Sequence, residues 1–202
     1  MQTESKRINN PPPNTVSSRH YMRRAKQEQS VREQFLNLPE GTLCQLIAGE
    51  IIMTPSPVPL HQIVIMELSF QMLRFAKERD LGQVFVAPLD VSFNGKNIFQ
   101  PDILFIRKDN LSIIGKKMIE GVPDCIVEVL SPSSAYHDLR TKFRVYEQSG
   151  VLEYWIVDIN LQSIELFANS GRKFQLRQEA EKKGAVESLV LDGFSVAVDD
   201  LF

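Results

Sequence analysis

The chain of 202 residues has only two cysteines, Cys44 and Cys125, and both stand in apolar runs. They are far apart and lack the paired spacing of a zinc site, so they read as buried thiols of a protein kept in a reducing compartment. No apolar stretch reaches the roughly 20 residues that cross a bilayer. The polar, proline-rich Met1 to Thr15 is not a secretory signal, so a cytoplasmic protein without a membrane partner is expected. Glycine-rich phosphate loops are missing, and with them any sign of nucleotide-triphosphate binding. No serine lies in a Gly-x-Ser-x-Gly elbow, and Cys125 has no histidine near it, which argues against a serine or cysteine nucleophile. The three histidines, His20, His61 and His137, are too scattered to form a zinc centre.

An excess of positive charge is also lacking: the formal net charge is −2. This argues against a general nucleic-acid coat protein. It does not argue against an enzyme that cuts nucleic acid, because such an enzyme needs acids at its metal. The charge is unevenly spread, with seven Lys/Arg against four Glu in residues 1–40 and 16 against 21 acids in the remainder. Binding to DNA is then weak and salt-sensitive unless an oligomer gathers its basic side chains along one groove.

What the chain does contain is one dense pattern preceded by a sparse one. Residues 1–20 include Asn9-Asn10-Pro11-Pro12-Pro13-Asn14 and almost no large apolar side chain, which predicts a disordered or loosely attached arm. Residues 21–202 form one domain, opening with a polar helix over Tyr21 to Leu38. Strands are expected at Leu43–Leu46 and Glu50–Met53, then a helix from Leu60 to Arg79 with apolar residues at 60, 64, 68, 72 and 75. Strands at Val84–Val86, Asp90–Phe93 and Ile98–Ile106 follow, the last two joined by an Asn94-Gly95 turn. Cys125–Leu130 reads as a buried strand, Tyr136 to Tyr146 as a helix stopped by Gly150, and Tyr154–Asp158, Ser163–Phe167, Lys173–Arg177 and Ser188–Leu191 as further strands. The order predicts an α/β or α+β sandwich with a mixed sheet flanked by helices.

Glu128 interrupts the most apolar strand. Alternation puts it on one face with Ile126 and Leu130, and both faces of Cys125–Leu130 are apolar. A lone carboxylate there costs several kcal/mol, so Glu128 is protonated, paired with Arg or Lys, or bound to a metal. Asp102, held by Pro101 at the head of another apolar strand, either starts an ordinary turn or faces Glu128. Two carboxylates on adjacent strands repel unless a divalent cation lies between them, and Mg2+ favours such an oxygen-rich site. Lys142 lies on the helix after the Glu128 strand. It either forms a surface i,i+4 salt bridge with Asp138 or leans over the strand end, where a lysine orients an attacking water and stabilises phosphate charge.

The stretch Pro101-Asp102, Glu128-Val129-Leu130-Ser131-Pro132-Ser133, Asp138, Lys142, Tyr146, Gly150-Val151 and Glu153-Tyr154-Trp155-Ile156-Val157-Asp158 resembles the bacterial family called putative restriction endonucleases, within the PD-(D/E)xK nuclease superfamily. The resemblance runs from about Leu46 to the C-terminus. It implies a restriction-endonuclease-like fold and hydrolysis of DNA phosphodiester bonds with Mg2+ or Mn2+. It also implies that Asp102, Glu128 and the Val129 carbonyl hold the metal. The superfamily lysine two residues after the glutamate is Leu130 here, and the resemblance moves its role to Lys142. The likeness extends to Gly49-Glu50 and His61-Gln62, so Glu50 is a possible additional acid, while His61 either joins the site or packs with Ile65, Leu68 and Met72. Cutting both DNA strands needs two sites, so a homodimer or higher homo-oligomer is expected. The alternatives are a nuclease fold that binds DNA or protein without cutting, and a small-molecule hydrolase using the same centre.

Overall fold

Pro101 divides what reads in the sequence as one strand, Ile98–Ile106, and that division organises the molecule. The computed structural model describes residues 16–39, 41–130 and 137–202. In chain order they form α1 (Val16–Leu36), β1 (Cys44–Ile47), β2 (Glu50–Met53), α2 (Pro59–Glu78), β3 (Gly82–Val86), β4 (Val91–Asn94), β5 (Asn97–Phe99), β6 (Ile103–Arg107) and β7 (Cys125–Leu130). A π-helical turn, His137–Lys142, leads into α3 (Phe143–Ser149), followed by β8 (Glu153–Asp158), β9 (Ser163–Asn169), β10 (Phe174–Glu181), β11 (Ala185–Glu187) and β12 (Ser195–Ala197). The fold is α+β, as expected.

β5 belongs to a four-stranded sheet of order β2-β1-β5-β4, whereas β6 belongs to a six-stranded sheet of order β10-β9-β8-β7-β6-β3. Proline lacks the N–H that a continuous ladder needs, so the chain leaves one sheet before Pro101 and enters the other after Asp102. In the larger sheet β7 and β8 run parallel, and β6 lies antiparallel to β7 with Ile103 opposite Val127. Gly82 opens β3 where β-carbon space is lacking: a side chain there meets the Ile106 carbonyl at 2.0 Å.

The larger sheet is buried on both faces. One face packs Ile103, Phe105, Cys125, Val127, Val129, Trp155 and Val157 against Val64, Leu68, Met72 and Ala76 of α2 and against the C-terminal hairpin. The other packs Leu104, Ile126, Tyr154 and Ile156 against Phe99, Val91 and Tyr146. A smaller cluster seats Phe35 of α1 on Cys44, Leu46 and Ile98. Each large apolar side chain buried in this way contributes about 1.5–3 kcal/mol over its exposed state.

Two expectations need correction. The first helix begins at Val16, inside the stretch read as an arm, and residues 1–15 lie outside the described residues. In the sequence Ser131-Pro132-Ser133-Ser134 offers a break and a helix cap, and these residues also lie outside the described ones. Ser188–Leu191 is a turn rather than a strand, and the C-terminal pairing is β11 with β12. The reason is Glu153. Its carboxylate is fully buried and accepts the hydroxyl of Ser188 (2.7 Å) and the amides of Leu189 (2.6 Å) and Val190 (3.3 Å), so those backbone groups are used up outside any ladder.

Candidate active site

β7 is a run of buried residues, and Glu128 within it is 2% exposed. Its Oε1 accepts a hydrogen bond from Lys142 Nζ at 2.8 Å and another from the Tyr146 hydroxyl at 2.6 Å. Lys142 is itself 3% exposed, so this is a buried ion pair and not the surface bridge to Asp138 weighed from the sequence. Lys142 and Tyr146 are four residues apart and therefore lie one above the other on a helix face. The π turn delivers them. A turn closing i to i+5 displaces the side-chain phase set by the preceding residues. As a result Leu139, which shares three-and-four spacing with Phe143 and Tyr146, is 46% exposed, while Lys142 takes the inward position. Phe93, Phe99 and Tyr154 ring Tyr146 with centroids 5.0, 5.8 and 5.2 Å away, which fixes its hydroxyl against Glu128.

Asp102 reaches the same end of the sheet from β6. Continuing the Ile103–Val127 register by one residue sets it opposite Glu128. Its Oδ2 accepts the Val129 amide at 2.8 Å, so the carboxylate substitutes for a ladder partner where Pro101 has ended the strand. His61, in the first turn of α2 and 6% exposed, places Nε2 at 3.4 Å from the same oxygen. The two acids are thus steered from opposite sides, Asp102 from the α2 side and Glu128 from the α3 side. Glu50 is exposed on β2, the edge of the smaller sheet, and among the described residues no hydrogen bond or ion pair joins it to Asp102 or Glu128. Reading the sequence singled out Asp102, Glu128, Val129, Lys142, Glu50 and His61, but it left out Tyr146. Its four-residue spacing from Lys142 was the available signal.

The negative charge continues along the sheet. Glu128 pairs across to Ile156, Ile156 to Glu165, and Glu165 to Glu179, all on one face. Partial burial first, then Glu179 and Asp158, raise the Glu165 carboxyl above its ordinary value of 4.5. A carboxyl raised by folding stabilises the protein below its unfolded value and loses that contribution as pH rises through the folded value. Glu165→Gln therefore raises the melting temperature at pH 8, and the gain disappears at pH 4 and below. A pH series of thermal melts checks this, and an equal gain at both pH values refutes it. Burial, then Glu153, likewise pushes the Cys125 thiol well up, which leaves it inert as a nucleophile.

Among the described residues no three His, Cys, Asp or Glu side chains gather as a metal cluster. The side chains that meet at the strand ends are the Asp102 and Glu128 carboxylates, with the His61 imidazole against Asp102. No helix among the described residues is long and apolar enough to cross a membrane.

A solved structure described as a "putative nuclease belonging to DUF820" from Anabaena variabilis resembles this chain with a TM-score of 0.70 and 21% identity, covering 85% of this chain and 96% of that one. At that identity the likeness establishes the fold. No curated protein matches the chain. Residues 32–199, which include every site residue described above, match the model of the Uma2 family, described as "Putative restriction endonuclease", and the chain belongs to that family.

Proposed function

We propose that this protein is an endonuclease that hydrolyses DNA phosphodiester bonds with Mg2+ or Mn2+, acting as a homodimer or higher homo-oligomer. One observation carries the reading: Glu128 sits at the buried end of a central strand with Lys142 and Tyr146 on one oxygen and Asp102 beside it in register. Asp102, Glu128 and the Val129 carbonyl are the residues that would hold the ion, since Mg2+ takes one or two carboxylates and keeps several waters. When bound, a divalent ion polarises a phosphoryl oxygen and lowers the pKa of a bound water. The chain's own groups do the rest. Val129 N–H and His61 orient Asp102, Tyr146 holds the Glu128 rotamer, and Lys142 Nζ orients the attacking water and balances charge growing on the phosphate.

The experiment is incubation of supercoiled, linear and branched DNA with the protein in Mg2+, in Mn2+ and in chelator. Cleavage is expected with metal only, and Asp102→Asn lowers its rate by about two to three orders of magnitude, the loss typical of a group aimed at transition-state charge. A second reading, an inactive fold that binds DNA or a protein, is favoured by the buried Glu128–Lys142 ion pair and by Leu130 standing where the superfamily has lysine. Absence of cleavage on all three DNAs in both metals decides for it.

A further inference from the structure

α2 buries one face in the core and leaves large apolar side chains on the other. Val64, Ile65, Leu68, Met72 and Ala76 turn inward. Ile63, Met66 and Phe70, spaced three and four residues apart, turn outward and are 58%, 65% and 57% exposed. Around them Gln62, Ile63, Met66, Glu67 and Phe70 line a depression of about 450 Å³. A contiguous exposed apolar stripe rimmed by polar groups marks an interaction surface.

We infer that α2 pairs with α2 of a second copy of this chain, antiparallel about a two-fold axis passing between Phe70 and Gln71. The charges on its rim select this occupant. A two-fold axis between antiparallel helices brings together residues equally distant from it on opposite sides. Glu67 and Arg74 are equally distant from that point, and residues seven apart share a flank after about two turns. Each Glu67 therefore faces Arg74 of the second copy, twice per dimer, while Phe70 meets its own equivalent at the centre. Within one chain Arg74 rests over the Phe70 ring at 5.8 Å, against the stripe, and Gln71 donates to Glu67 at 3.0 Å, which holds Glu67 on the same flank. His61 lies on the opposite, buried face of α2, so the pairing does not cover Asp102. The stripe spans roughly a few hundred Å², small for a stable interface, so the dimer dissociates at micromolar concentration. This inference rests on the oligomer proposed above and is independent of the cleavage chemistry.

Sedimentation equilibrium of the full chain over a micromolar series tests it. The wild type is expected to be a dissociating dimer and Phe70→Glu a monomer with unchanged helical circular dichroism. Glu67→Arg and Arg74→Glu each weaken the dimer by about tenfold, and the double exchange restores it, since each single variant turns two attractive contacts into repulsive ones. A dimer that ignores Phe70→Glu overturns the α2 seam and leaves the oligomer standing. Single charge variants that weaken the dimer without rescue by the exchange overturn the antiparallel pairing. A wild type that stays monomeric, whether the stripe then meets another protein or a lipid surface, overturns both the seam and the oligomer while leaving the nuclease reading to its own assay.

Discussion

Glu128→Gln and Lys142→Met, made singly, are each expected to destabilise the protein by about 3–5 kcal/mol, the cost of stranding one charge of a buried pair. Made together they recover most of that loss, because no buried charge is left unpaired and methionine fills the lysine volume. DNA cleavage does not return with stability. The Lys142 side chain is 3% exposed with Nζ at 2.8 Å from Glu128, so removing it strands a buried carboxylate, which loss of a surface i,i+4 bridge to Asp138 would not do. Because the single variants confound folding with chemistry, the double variant is the informative one. Urea melts give the coupling free energy, and a cleavage assay on the refolded double variant gives the function. Additive losses, with no recovery in the double variant, remove the ion pair as a structural unit. Cleavage at wild-type rate by the double variant removes Glu128 and Lys142 from the active site.

Glu153→Ala is expected to cost about 4 kcal/mol or more and to loosen the C-terminal segment before the rest. This carboxylate accepts hydrogen bonds from Trp155 Nε1 at 2.7 Å, the Ser188 hydroxyl, and the Leu189 and Val190 amides. Each buried donor left without an acceptor costs about 1–3 kcal/mol, and partial relaxation toward water reduces the sum. The turn they form seats Leu191, Phe194, Val196, Val198 and Leu201 against the core, so those side chains lose their anchor together. Hydrogen exchange over residues 185–202 should rise well above that of β7 and β8. Glu153→Gln retains an acceptor and is expected to lose less. A change under about 1 kcal/mol in Glu153→Ala, with unchanged exchange, rules out this anchoring role.

Where local chemistry alone decides, the sequence already carried the answer. Cys125–Leu130 is a strand with the bounds read from its apolar run, which only Glu128 breaks, and Glu50–Met53 also has the bounds read from the sequence, because a short β-rich segment between turn residues has few alternatives. Gly150 adopts φ 92 at the end of α3, where only a residue without a β-carbon sits without strain, and so the helix stops where glycine said it would. Glu128, Asp102 and Lys142 were legible for a related reason: a charge inside an apolar pattern demands a partner, and three such residues were available. The match of the chain to its family, residues 32–199, spans these segments.

Sheet membership, by contrast, was decided only in three dimensions. Ile98–Phe99 and Ile103–Ile106 share one alternating pattern, and nothing local tells which sheet accepts each half across Pro101. Glu153 stands one residue ahead of the expected strand Tyr154–Asp158, and nothing local shows that Ser188 and its neighbours, 35 residues on, fold over it, which removes that stretch from any ladder. The orientation of Lys142 depended on a π turn, which carries no sequence signature, and the displaced ammonium is received by Glu128, whose carboxylate the Tyr146 hydroxyl also holds. Periodicity and turn residues determined which segments are strands and helices, because those are near-neighbour energies. The choice among long-range partners belonged to the tertiary structure, because a buried carboxylate is satisfied by whichever donors the packed core brings to it.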